Sequence, residues 1–161
     1  MSEAGSVAGP APGQASVDYA PPIVQERFLP VSPGVVFDAW SDPESLSVWM
    51  CPLDNKGARV SLDFRVGGRF SLIMEGEEQD YEHSGEYLEI VQDRRIVFTW
   101  VSHFFPKDEQ QTRVTVTMEP EGDGTRLKLV HDQLPNTGSY DNHRNGWVSI
   151  LDKLEAALAE R

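Results

Sequence analysis

Between residues 59 and 131 the apolar side chains recur at every second position, in six runs joined by short links. No other feature constrains the chain as much, because parallel neighbours need crossovers of roughly a dozen residues or more. The runs must pair as an antiparallel meander. Val60, Leu62 and Phe64 alternate with Arg59, Ser61 and Asp63, and after Gly67-Gly68 the residues Phe70, Leu72 and Met74 resume the period, as in a hairpin closed by a glycine turn. Runs at 81–91, 94–101, 112–119 and 124–131 follow, the last two joined by the turn Glu121-Gly122-Asp123.

The flanks read differently. Residues 23–29 form a further strand, stopped by Pro30; Ser32 then caps a helix with Pro33 at its first position. Asp42 and Pro43 open a second short helix, whose Leu46, Trp49 and Met50 share a face until Pro52. At the far end, residues 139–160 predict a long helix in which Trp147, Ile150, Leu151, Leu154 and Leu158 line one stripe. Burying five such side chains is worth roughly 1.5–3 kcal/mol each, so the helix is docked. A sheet with one wet face has to cover the other, and only this helix is long enough. Gly146 interrupts it, which leads us to expect a close backbone or ligand, or a bend, at that point.

With 161 residues and 39% hydrophobic content the chain supports one core. Thirteen of the first 20 residues are Ala, Gly, Pro or Ser, so residues 1–21 are expected to be a disordered arm and residues 22–161 the domain. There is no secretory signal and no 18-residue apolar run, hence the expectation of a soluble, cytoplasmic protein without a membrane partner. A formal charge of −12 argues against nucleic acid, since phosphate binding rests on Lys and Arg. The lone Cys51 forms no internal disulfide and reads as a small buried hydrophobe.

The stretches "RFLPVSPGVVFDAWSDPESLSVWM", "DFRVGGRF", "GEYLEI", "RRIVFTW", "GTRLKLVHDQL" and "GW" followed by "ILDKL" span residues 23 to 158. In order and spacing the chain resembles the START-like (SRPBCC) superfamily, in particular members related to the activator of the heat-shock protein 90 ATPase. The resemblance implies an α+β helix-grip fold, as in the birch-pollen allergen: a seven-stranded antiparallel sheet wrapped around a long C-terminal helix, plus two short helices. It also implies a lipophilic cavity between helix and sheet, open in some members and collapsed in others. It does not imply one activity, because the superfamily includes lipid carriers, cyclases, receptors and co-chaperone domains. The eukaryotic co-chaperone carries a separate N-terminal domain that the first 20 residues here are too few to form.

Alternation supplies the candidate site. The inner face of 124–131 carries Leu127, Leu129 and His131, and a ring there would orient a ligand or move protons, unless it is bonded to the loop beyond. If Leu88 and Ile90 face inward, Glu86 does too, and its ionised form would be disfavoured there; a bulge near Gly85 would turn it to solvent. Phe64, Phe70, Leu72, Met74, Phe98 and Trp100 face the same layer, as walls of a pliable pocket or as filled core. Trp147 and Ile150 close the pocket from the helix, and His143 adds a polar group at one end. His131 and Glu86 are the candidate acid–base groups of an enzyme reading. No metal or cofactor motif occurs: the four histidines lack ligand spacing, and "RVGGRF" is a hairpin turn. The leading expectation is a binder of an apolar or aromatic small molecule; the alternatives are a chaperone-interacting protein, with a homodimer as a further candidate assembly, and a cyclase- or hydratase-like enzyme.

Overall fold

The computed structural model describes residues 19–51, 57–102, 112–135 and 139–159. The expected arm lies outside them except at its end. Tyr19 bridges Pro135, and Ala20, 6% exposed, donates its N–H to the Leu134 carbonyl at 2.8 Å. His103 also falls outside the described residues.

Chain order is β1 (Ile23–Leu29), α1 (Pro33–Ser41), α2 (Pro43–Trp49), β2 (Gly57–Leu62), β3 (Arg69–Glu75), β4 (Asp80–Val91), β5 (Arg95–Ser102), β6 (Thr112–Glu121), β7 (Gly124–Asp132) and α3 (Ser139–Ala159). The strands form one seven-stranded antiparallel sheet, ordered β1-β7-β6-β5-β4-β3-β2. The six expected runs pair as a meander. The seventh strand, β1, joins the far side, with Ile23 opposite His131 and Leu29 opposite Thr125. This is the helix-grip arrangement: α3 lies across the apolar face, with Trp147, Ile150, Leu151, Leu154 and Leu158 each at most 3% exposed.

Both helix starts follow their sequence signals. The Ser32 hydroxyl accepts from the Val35 N–H at 3.5 Å, and the Asp42 carboxylate accepts from the Glu44 N–H at 3.3 Å, with proline in each first turn. The first hairpin is shifted. β2 ends at Leu62, two residues before the expected end, and the chain turns through Asp63, Arg65 and Gly68 with Gly67 at φ 87°. A Cβ on Gly68 would sit 2.0 Å from the Asp63 carbonyl oxygen, so only glycine fits. The turn also pairs sideways with β4: Gly67 N–H donates to the Tyr87 carbonyl and Tyr87 N–H to that of Gly68, both at 2.9 Å. Phe64 thereby leaves the strand and packs its ring against Phe37 and Tyr87.

A second irregularity decides which face β4 shows. The register between β4 and β5 shifts between Tyr87 and Glu89. Because side chains alternate, one extra residue exchanges inner and outer positions across the bulge. His83, Gly85 and Tyr87 face inward before it and Ile90 packs on the core after it, whereas Leu88 is 44% exposed. At α3 the expected close approach to Gly146 is absent: a methyl group there would meet nothing within 4 Å beyond the helix's own backbone.

Candidate functional site

The layer between sheet and helices divides into two parts that share Trp100. The first lies under α3. Trp147 Nε1 donates to His131 Nδ1 at 2.9 Å, and His131 Nε2 lies 2.7 Å from Thr112 Oγ1. The threonine hydroxyl donates in turn to the Trp100 carbonyl at 2.7 Å. An indole can only donate, so Nδ1 must be the bare nitrogen and Nε2 carries the proton to the threonine lone pair. Every ring atom of His131 able to bond is spent. Protonating Nδ1 would set one N–H against another, and burial, with His143 and His83 nearby, holds the imidazole well below its ordinary pKa. His131 is a neutral structural hub. Both ring nitrogens of this acid–base candidate are thus engaged within the protein.

Glu86 lies on the outer face of β4, the solvent side of its two expected placements, its carboxylate 3.8 Å from Arg69 and 42% exposed, while its backbone N–H donates to the Thr99 hydroxyl oxygen at 2.9 Å. Leu88 faces outward with it, for the same bulge-driven reason. Neither reaches the inner layer. Leu129, Ile150 and Trp147 are inward and buried, and His143 meets His131 edge-on at 5.5 Å. Met74 is buried at 5% exposure away from the remaining void, and Phe64 props Tyr87 from behind.

That void is the second part, a chamber between α1, α2 and strands β2 to β5. Its walls are Trp40, Leu46, Met50, Val60, Leu62, Phe70, Leu72, Tyr87, Phe98 and Trp100. Of the expected walls, Phe70, Leu72, Phe98 and Trp100 border it. The rings set its shape: Phe70 stands perpendicular to Phe98 at 5.4 Å, and Trp40 meets Trp49 edge-on at 4.7 Å. Phe70 lies over Gly85, where a Cβ would come within 2.6 Å of its ring and 1.9 Å of the Thr99 carbonyl oxygen. The volume is about 30 Å³; at roughly 10–15 Å³ per water that is room for two or so.

No wall residue is ionised at neutral pH. Burial raises the Tyr87 phenol far above its ordinary pKa and keeps it a neutral donor. Among the described residues, the buried indole N–H groups of Trp40 and Trp100 have no hydrogen-bond partner. A buried donor left unmade costs about 1–3 kcal/mol. Sequence reading missed Tyr87 because alternation was counted back from Leu88 and Ile90 across the unseen bulge. It missed Leu46 and Met50 because their face was read only as helix packing, and nothing local says that two short helices roof a void.

The comparisons with known proteins agree with this architecture. The family model described as activator of Hsp90 ATPase homolog 1-like protein matches residues 30–159. Among solved structures, a protein from Chromobacterium violaceum is 28% identical, with 85% of this chain and 96% of that one covered and a TM-score of 0.73. The AHSA1 protein from Silicibacter pomeroyi is 30% identical, over 86% of this chain and 98% of that one, with a TM-score of 0.69. An HSP90 activator from Plasmodium falciparum is 27% identical, over 86% and 96%, with a TM-score of 0.70. No curated protein matches the chain.

Proposed function

The chain belongs to the activator of Hsp90 ATPase homolog 1-like family, and from that premise we propose that it binds a small apolar or aromatic molecule in the chamber beneath α1 and α2. One observation carries the reading: a void walled by aromatic and aliphatic side chains, without a charged group, lies between the sheet and the two short helices. Its volume of about 30 Å³ suits water, so a ligand enters by displacing the roof. The roof is suited to that. α2 has only seven residues, is followed by Met50 as its C-cap, and is short enough to be marginal on its own. The expected setting is the cytoplasm, and no described helix is long and apolar enough to cross a membrane.

A thermal-shift and native mass-spectrometry screen of fatty acids, polyketides and flavonoids tests the proposal. A ligand at about 1,000 times its Kd adds about 4 kcal/mol, which for a domain of this size is a shift of roughly 8–16 °C. A panel that leaves both melting temperature and mass unchanged removes the reading.

Similarity to the Plasmodium activator favours a second reading, in which the domain binds an Hsp90-type chaperone and stimulates its ATPase. Pull-down and ATPase assays against the chaperone decide it, independently of any ligand.

A further inference from the structure

Four indole N–H groups are present, and they divide cleanly. Trp147 donates to His131 and Trp49 donates to Ser45 Oγ at 3.2 Å; neither borders the chamber. Trp40 and Trp100, which both border it, have no partner among the described residues, although they are only 3% and 2% exposed. Buried polar groups are nearly always paired, so the two exceptions at one void mark where an acceptor belongs. We propose that the molecule taken up by the chamber carries an uncharged acceptor oxygen, such as a ring carbonyl, held by the indole N–H groups of Trp40 and Trp100. The inference rests on the binding reading above and names the ligand class within it.

Charge and shape narrow the class. A carboxylate would enter without a counter-charge and lose its hydration. A pure hydrocarbon would fill space and leave both donors orphaned. A flat, neutral ring system with one oxygen meets both conditions, packing among the aromatic walls with its oxygen toward the donors.

Indane and 1-indanone differ by the one carbonyl oxygen and serve as probes. The full chain is labelled with 15N, and its indole N–H signals and the two affinities are followed by NMR titration. We expect 1-indanone to bind roughly fivefold more tightly than indane although it is the less hydrophobic of the two. Two indole signals should move downfield, one missing in Trp40→Phe and the other in Trp100→Phe, and each variant should narrow the affinity ratio. Should a variant fail to fold, the wild-type titration decides by itself. Equal binding of both probes with still indole signals overturns the acceptor claim and leaves the chamber reading standing. Binding of neither probe overturns both.

Discussion

His131 carries more of the interior than its composition suggests. Its ring joins α3 through Trp147 to β6 through Thr112 and, one bond further, to the backbone of β5. Replacing it with leucine keeps the volume and strands the Trp147 N–H, so His131→Leu should cost about 1–3 kcal/mol in urea unfolding. The pH dependence follows from the same bonds. Folding holds the ring neutral, so as pH falls below about 6.5 the unfolded chain takes up the proton first. Its contribution is whole above that pH and shrinks by up to about 1.4 kcal/mol per unit below it, until the folded ring titrates. The stability gap between wild type and His131→Leu should therefore narrow from pH 7 to pH 5.5. A gap that widens would mean the ring is charged in the folded state. The inward direction of His131 was legible in the sequence, since Leu127, Leu129 and His131 alternate. Its partner was not, because Trp147 lies 16 residues on, beyond a loop and inside α3, and no local pattern couples them.

Element boundaries tell the same story one level up. The helix starts were legible because Ser32-Pro33 and Asp42-Pro43 act through the adjacent turn. The end of β2 and the face of β4 were not, because a turn that pairs sideways and a bulge between Tyr87 and Glu89 are settled by neighbouring strands. Two glycine substitutions separate local from tertiary causes. Gly146 sits inside α3 with open space where a methyl group would go, so Gly146→Ala should add about 1 kcal/mol, read as a raised melting temperature. Gly68→Ala meets the Asp63 carbonyl oxygen at 2.0 Å and should destabilise the hairpin, lowering the melting temperature by several degrees. If the two variants behave alike, the surroundings of one of these glycines have been misassigned.

Across the whole molecule the two ends of the interior are built to different tolerances. Under α3 five apolar side chains are buried, His131 bonds through both ring nitrogens, and Arg27 reaches from β1 to Asp152 at 3.2 Å and Glu155 at 3.4 Å. Under α2 there are a void and a seven-residue helix. Local stability follows buried contacts, so opening should start at the roof. Amide exchange at residues 43–50 should then be faster than at residues 147–158, by a factor of at least ten if the local stabilities differ by about 1.4 kcal/mol. A ligand in the chamber should slow exchange in the first segment and leave the second unchanged, since only the roof has to move to admit it. Slowing confined to α3 would put the occupant under the long helix and remove the chamber as its site. The family resemblance made the grip of helix on sheet legible from residues 23 to 158; the chamber was not legible, because Trp40, Leu46 and Met50 meet the strand residues that wall it only once the chain has folded.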